Sequence, residues 1–77
     1  MNCMNFVNLE IMKNNLRVER AIKKLTQQQL AELIGVSRQT INSMESGKYV
    51  PSTVLALKIS QVFEKAVNEI FQLEDGD

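Results

Sequence analysis

Apolar residues recur at helical spacing in five blocks along the chain, separated by polar and turn-forming residues. The second and third blocks predict helices over about 27–34 and about 38–46. The fourth helix ends at about 63, and a short fifth helix covers about 67–71. The first block predicts a helix over about 15–24, whose inward stripe leaves out Leu16 and consists of Val18, Ala21, Ile22 and Leu25. The pattern therefore predicts an all-α fold.

Strong local signals mark the boundary between the second and third predicted helices. Thr26, with Gln29 three residues later, forms a capping box at the start of the second helix. Gly35 lies where a helix ends in a left-handed residue, and Ser37 is an N-cap for the third helix. Two helices joined by so short a turn must cross steeply, and the small side chain of Ala31 suits their close approach.

The fourth predicted helix, capped by Ser52, has apolar side chains on more than one of its faces. They are more than a helix packed on a single small core needs, and comprise Val54, Leu55, Ala56, Leu57, Ile59, Val62 and Phe63. Two interpretations stay open: deep burial, or contact with a second copy of the chain. The candidates for such a dimer contact are Val54, Leu55 and Val62.

The two ends of the chain differ in character from its middle. Residues 1–8 lack helical period and predict a flexible tail, and 74–77 form an acidic tail, so the predicted domain covers 9–73. Residues 9–13 alternate in part, and we expect them to pair with 71–73 as a short antiparallel ribbon. Three methionines are potential translation starts: Met1, Met4 and Met12.

Composition is that of one small globular domain. The chain has 77 residues, of which 44% are hydrophobic and 23% charged. A domain of this size buries only roughly 60% of its unfolded surface, so dimerisation would add stability. Cys3 is the single cysteine, no apolar run approaches the roughly 18 residues of a membrane span, and the N-terminus lacks a signal-peptide pattern. We therefore expect a protein of the reducing cytoplasm with no membrane partner.

Net charge is zero, but it is unevenly distributed. Residues 1–50 carry seven basic and four acidic side chains, a net charge of +3. Residues 51–77 carry two basic and five acidic side chains, a net charge of −3. Such a division suits a protein that presents one side to phosphate groups, although solvated surface charge with no partner also accounts for it.

The sequence lacks the usual signs of an enzyme. It contains no histidine, no glycine-rich phosphate loop and no Cys/His spacing for a metal. Its carboxylates are isolated on amphipathic helices. We therefore expect no catalytic residue, no metal and no cofactor.

The stretch from Thr26 to Gly47 resembles the helix-turn-helix of the lambdoid phage repressor and Cro class, a family of small single-domain transcriptional regulators. The resemblance spans about 16–71 and is carried by Thr26, Gln27, Leu30, Ala31, Gly35, Val36, Ser37, Gln39, Ile41, Met44, Glu45, Gly47, Lys48 and Pro51. It implies a compact five-helix DNA-binding domain with its helix-turn-helix at about 26–46.

Two positions depart from the family pattern. Glu19 lies where the family usually has an apolar residue. Between the fourth and fifth helices, Glu64, Lys65 and Ala66 replace the usual glycine and the serine or aspartate cap. We expect a longer or looser turn there.

The third predicted helix would supply the recognition surface. On a helical wheel Ile41 and Met44 face the core, and the opposite face is polar and uncharged, with Gln39, Asn42, Ser43 and Ser46. Amide side chains bond adenine in bidentate fashion, and serine bonds either base type. Arg38 flanks this face and can reach a guanine or a phosphate. Base contacts are predicted for Arg38, Gln39, Asn42 and Ser43.

Contacts with the DNA backbone are predicted around this helix. Gln27 lies in the first turn of the second helix, where free amides favour an anion, and it matches a family position that contacts the backbone. Thr40, Lys48 and Tyr49 are candidates for the same role, although Tyr49 has a second interpretation, packing against the fourth helix.

Glu45 lies near the core side of the third helix, where an unpaired carboxylate would be unfavourable. Arg20 matches a first-helix arginine of the resembled family and is its expected partner in a structural ion pair. A solvent-facing Glu45 is the alternative.

The resemblance and the residues together predict a sequence-specific regulator of double-stranded DNA. We expect a homodimeric repressor that inserts its third helix into the major groove of a palindromic operator. The alternative is an antitoxin or adaptor module whose main role is to bind a partner protein through the fourth helix. Antitoxins of this class also bind DNA, so the two interpretations overlap.

Overall fold

The computed structural model of the protein describes residues 13–73. Five helices and a two-stranded antiparallel ribbon follow in the order β1 (Lys13–Asn14), α1 (Leu16–Ile22), α2 (Gln27–Ile34), α3 (Arg38–Glu45), α4 (Thr53–Phe63), α5 (Val67–Ile70) and β2 (Phe71–Gln72). The predicted fold class, including the ribbon, is confirmed. The predicted tails, and the part of the first strand at 9–12, lie outside the described residues.

The predicted caps are present at both ends of α2 and at the start of α3. Thr26 Oγ1 accepts a hydrogen bond from the Gln29 N–H at 3.0 Å, and Gln29 Oε1 accepts one from the Thr26 N–H at 2.9 Å. Gly35 is left-handed, with φ of 78°, a conformation that other residues adopt with strain. Ser37 Oγ accepts from the Thr40 N–H at 3.1 Å and so starts α3.

The apolar core lies between all five helices and β2. It comprises Leu16, Leu30, Ala31, Ile34, Ile41, Met44, Leu55, Ile59, Phe63, Ile70 and Phe71. From α4 it takes one stripe at spacing i, i+4, i+8, namely Leu55, Ile59 and Phe63. The other apolar residues of α4 include Val54 and Leu57, which are exposed.

Helix α1 faces the core with the side opposite to the one predicted. Leu16 is fully buried and Glu19 nearly so, whereas Val18 is 56% exposed and Ile22 63% exposed. Ala21 is exposed as well. The predicted inward stripe was therefore wrong for these three residues, and of its four members Leu25 is the one that packs against the core.

Hydrogen bonds at the start of α1 explain this orientation. The Asn15 N–H donates to the Ile70 carbonyl at 2.8 Å, and Asn15 Nδ2 donates to the Glu69 carbonyl at 3.1 Å. These bonds join the first turn of α1 to α5, so the adjacent Leu16 points into the core. In a helix of seven residues, apolar spacing alone does not decide between two faces, and long-range contacts do.

The turn between α4 and α5 is short and well defined, so the expected loosening was wrong. Glu64 ends α4 in the left-handed region with φ of 58°, and the Glu69 carboxylate accepts from the Ala66 N–H at 3.2 Å. Lys65 Nζ lies 2.9 Å from Glu19 Oε2, and this hydrogen bond raises the pKa of Lys65. The Glu69 cap and the Lys65–Glu19 ion pair therefore hold this turn without a glycine.

The ribbon joins the two ends of the described chain. Lys13 pairs with Gln72, and Asn14 pairs with Phe71. So short a ribbon is marginal by itself, and it is supported by the burial of Phe71 and by a 2.6 Å hydrogen bond from Asn14 Nδ2 to the Met44 carbonyl. Over residues 13–73, no helix has the length and apolar character needed to cross a membrane.

Candidate nucleic-acid interface

Helix α3 has an apolar face and a polar face on opposite sides. Ile41 and Met44 are buried in the core. The polar side chains predicted to contact bases lie on its accessible side: Arg38, Gln39 and Asn42 are exposed, and Ser43 is half-buried. Ser46, also exposed, donates from its hydroxyl to the Asn42 carbonyl at 2.9 Å and so closes the last turn.

The residues predicted to contact the DNA backbone lie at both ends of α3 and at the start of α2. Thr40 is half-buried, and its hydroxyl is 3.0 Å from that of Ser37 within the α3 cap. Lys48 and Tyr49 follow α3 and are both exposed. The exposure of Tyr49 does not favour its close packing against α4. The half-buried Gln27 occupies the first position of α2.

Glu45 and Arg20 form an ion pair beneath α3. Arg20 Nε lies 2.7 Å from Glu45 Oε2, and Arg20 Nη2 lies 3.2 Å from Oε1. The Glu45 side chain has 0% exposure and that of Arg20 17%. Arg20 Nη1 also donates to the Leu25 carbonyl at 2.9 Å, and Nε of the exposed Arg17 lies 3.6 Å from Glu45 Oε1. The carboxylate thus holds α1 and α3 together.

These contacts shift the ionisation of both partners. Burial alone would raise the pKa of Glu45, but hydrogen bonds from Arg20 and Gln27 and the charges of Arg20 and Arg17 outweigh it and lower that pKa. The hydrogen bond to Glu45 raises the pKa of Arg20. The pair is therefore charged on both sides at neutral pH.

Gln27 connects this pair to the exposed face of α3, a link that the sequence did not indicate. Its side-chain nitrogen donates to Glu45 Oε1 at 3.0 Å and to Asn42 Oδ1 at 3.3 Å. Arg38 Nη1 donates to Gln27 Oε1 at 3.4 Å. Amide side chains are too frequent in sequences for spacing alone to single out such a link. It arises because the packing of α2 on α3 brings the first residue of α2 within hydrogen-bond distance of Arg38, Asn42 and Glu45.

The predicted dimer contacts differ in accessibility. Val54 is 64% exposed, but Leu55 is buried in the core and Val62 is half-buried against it. Leu55 is thus unavailable to a partner, because the inward stripe of α4 runs through it. A nearby apolar groove of about 210 Å³ is lined by Val50, Pro51, Thr53, Ala56, Leu57, Val67 and Phe71.

Comparison with known proteins gives matches over most of the chain. The model of the helix-turn-helix family matches residues 16–70. The chain is 50% identical over 66 residues to a helix-turn-helix transcriptional regulator of uncharacterised role from Methanocaldococcus jannaschii, which covers 86% of this chain and 100% of that protein. It is 44% identical over 64 residues to the Bacillus subtilis regulator YgzD, also of uncharacterised role, covering 83% and 97%.

A solved structure agrees with these matches. The chain superposes on the crystal structure of a protein from Bacteroides fragilis described as DNA-binding, with a TM-score of 0.71 and 29% sequence identity. The superposition covers 80% of this chain and 100% of that one.

Proposed function

This chain belongs to the helix-turn-helix family of Cro/C1-type transcriptional regulators, and we propose that it is a homodimeric repressor of a palindromic operator. Members of this family bind double-stranded DNA, and this chain is likewise a DNA-binding transcriptional regulator. The observation that carries the proposed repressor role is the exposed, uncharged polar face of α3. The exposed basic residues Arg38 and Lys48 lie at the two ends of this helix.

Base recognition is assigned to α3 in the major groove. Arg38, Gln39, Asn42 and Ser43 combine guanidinium, amide and hydroxyl groups, which are the groups that discriminate base edges. A solvated helix face with no ligand more often carries pairs of Glu and Lys. The uncharged side chains of Gln39, Asn42 and Ser43 suit the floor of a groove better than open solvent.

Contacts with phosphate are assigned to the surroundings of α3. Lys48 contributes a full positive charge, and Tyr49 and Thr40 contribute hydroxyl groups. At the first position of α2, Gln27 contributes its backbone N–H, one of the amides that an α-helix leaves without a partner in its first turn.

Dimerisation is assigned to the apolar surface around the start of α4. Val54 and Leu57 are exposed there beside the groove that Val50, Pro51 and Phe71 help to line. A two-fold dimer would present its two α3 helices to half-sites about one helical turn, roughly 34 Å, apart. The operator would then contain inverted repeats.

Repression is the expected outcome because occupancy of an operator is enough to exclude other proteins from the same DNA. Activation would require a further surface that contacts the transcription machinery. We also assign the protein to the cytoplasm, because a regulator must share a compartment with the DNA that it binds.

A second candidate function is that of an antitoxin or adaptor which binds a partner protein. It is supported by the same exposed apolar surface on α4, which a partner would cover as well as a second copy. The two functions differ in one observable. A second protein that co-purifies in fixed stoichiometry favours the adaptor, and a symmetric DNA consensus bound by two copies favours the repressor.

Selection of bound DNA from a random pool tests the proposed function. We expect a consensus with inverted repeats and two chains per DNA molecule. Arg38→Ala should lose about 1–3 kcal/mol of discrimination at one position of each half-site. Lys48→Ala should weaken binding to all sequences and reduce the salt slope by about one per subunit.

The matched control for Lys48 is Lys58→Ala, which removes the same charge from α4. It should leave the salt slope unchanged. Wild-type binding by both Arg38→Ala and Lys48→Ala would overturn the site assignment, and the absence of any enriched sequence would overturn the function.

The dimer contact is tested by Val54→Asp. A carboxylate at the centre of an apolar contact loses hydration without gaining a partner, so the dimer dissociation constant should rise about tenfold or more. Sedimentation equilibrium measures this dissociation constant. Val18→Asp is the control, since Val18 is similarly exposed but lies on α1. Equal effects of the two substitutions would contradict a dimer through α4.

A further inference from the structure

Arg17 brings a second guanidinium group to the buried ion pair between α1 and α3. Its Nε lies 3.6 Å from Glu45 Oε1, and its side chain is 73% exposed, whereas the Glu45 side chain has 0% exposure. At this distance the contact is electrostatic and too long for a hydrogen bond. Among residues 13–73 the Arg17 side chain makes no hydrogen bond, so the donors of its guanidinium are available to a ligand.

The carboxylate of Glu45 is already neutralised by Arg20. Arg20 Nε and Nη2 donate to its two oxygens at 2.7 Å and 3.2 Å. Two guanidinium groups and one carboxylate leave a net charge of +1 in this cluster. Because the Arg20 side chain is only 17% exposed, the excess positive charge is presented to solvent by Arg17.

Arg17 lies on the side of α1 that faces the start of α2 and the end of α3. Gln27, the first residue of α2, donates from Nε2 to the same Glu45 oxygen at 3.0 Å. Arg17 Nε and Gln27 Nε2 are therefore at most 6.6 Å apart, the sum of 3.6 Å and 3.0 Å. Glu45 is the last residue of α3, and the backbone N–H of Gln27 is assigned above to a phosphate. The exposed charge of Arg17 thus borders the proposed DNA surface.

We propose that Arg17 contacts a phosphate of the DNA backbone and so extends the interface from α2 and α3 onto α1. This inference rests on the proposed function, because it assumes that α3 enters the major groove. A guanidinium group matches a phosphate well, because it combines a permanent positive charge with parallel N–H donors. A phosphate is expected, and not a base, because α1 flanks the helix that occupies the groove.

The phosphate contact and a purely structural role differ in what they predict. An exposed charge 3.6 Å from Glu45 contributes little to folding and has no effect on the affinity for DNA. A phosphate contact releases counterions when DNA binds, so affinity weakens as salt is added. Each such contact accounts for about a threefold loss of affinity between about 50 and 200 mM salt, and one contact in each of two subunits for about tenfold.

The test compares the full-length wild type with Arg17→Gln on the DNA that the wild type selects. Glutamine is uncharged and has a helix propensity close to that of arginine. The variant should bind more weakly at about 50 mM salt, and the ratio of the two dissociation constants should fall about tenfold by about 200 mM for a complex of two subunits. Fluorescence anisotropy measures both constants. The selected bases and the urea midpoint should stay those of the wild type.

Lys23→Gln is the matched control, because it removes one positive charge from the same helix. Lys23 lies six residues after Arg17, which at 3.6 residues per turn is about 120° around the helix. Its Nζ is 3.6 Å from Glu64 at the end of α4. This variant should keep the wild-type salt slope, and so should Arg17→Lys, which retains the positive charge. Ethylation of single phosphates should identify one phosphate per half-site that matters to the wild type and not to Arg17→Gln.

Three results would overturn the inference while the proposed function stands. The first is a wild-type salt slope for Arg17→Gln. The second is an equal change of slope for Arg17→Gln and Lys23→Gln, which would show a general effect of net charge. The third is an altered preference at one base position, which would show that Arg17 contacts a base. If the wild type enriches no DNA sequence at all, the proposed function itself fails.

Discussion

Glu45→Ala should lower the free energy of unfolding by about 3 kcal/mol, the lower part of the range for breaking a buried ion pair. The Glu45 side chain is fully buried, and within residues 13–73 its removal leaves the Arg20 guanidinium with the Leu25 carbonyl as its remaining hydrogen-bond acceptor. Arg20 keeps some access to water, which limits the loss. For a chain of 77 residues, whose total stability is about 4–12 kcal/mol, this is a large fraction.

A double-mutant cycle separates the pair from other effects of the substitution. Arg20→Ala, Glu45→Ala and the double variant should give a coupling energy of at least about 1 kcal/mol by urea unfolding. The control pair is Lys23 with Glu64, which lie 3.6 Å apart on the surface. Their coupling should be about 0–1 kcal/mol. A coupling for Arg20 and Glu45 no larger than that of the control would show that their contact does not hold α1 to α3.

The contribution of Glu45 also depends on pH in a defined direction. Because its pKa is lower in the folded chain than in the unfolded one, its stabilisation is fully present above the unfolded pKa of about 4.3. It is lost as the pH falls through the folded pKa. The stability difference between the wild type and Glu45→Gln should therefore be constant from about pH 7 to pH 5 and shrink below about pH 4. A difference that grows on acidification would contradict the lowered pKa.

Leu16→Ala should cost about 2–5 kcal/mol, the range for truncating a buried leucine. Leu16 has no exposed surface, and it packs where β1, α1 and α5 meet the core, so its removal leaves a cavity that this small fold cannot easily close. Thermal and urea unfolding of the variant and the wild type measure the loss.

Val18→Ala is the matched control, because the helical spacing alone predicts that Val18, not Leu16, faces inward. Val18 is more than half exposed, and its truncation should change stability by no more than about 0.5 kcal/mol. If Val18→Ala proved the more damaging of the two, α1 would face the core as its spacing predicts, and the orientation in the structure would be wrong.

The helix-turn-helix itself was predictable because its signals are local. A capping box at Thr26, a left-handed glycine at Gly35 and an N-cap at Ser37 act over three or four residues, and each was found where the sequence predicted it. The polar face of α3 follows from the same helical period that buries Ile41 and Met44. The Arg20 and Glu45 contact was predictable only with the help of a family resemblance, since 24 residues lie between them.

What the sequence alone determined is therefore the identity of the five helices, the caps of α2, α3 and α4, and the amphipathic character of α2 and α3, because these depend on neighbours within one or two turns. The tertiary structure decided the facing of α1, the compact turn held by Glu19 and Lys65, and the bonds of Gln27. These arise from contacts between residues far apart in the chain, where the packing of all helices selects among local alternatives of similar energy.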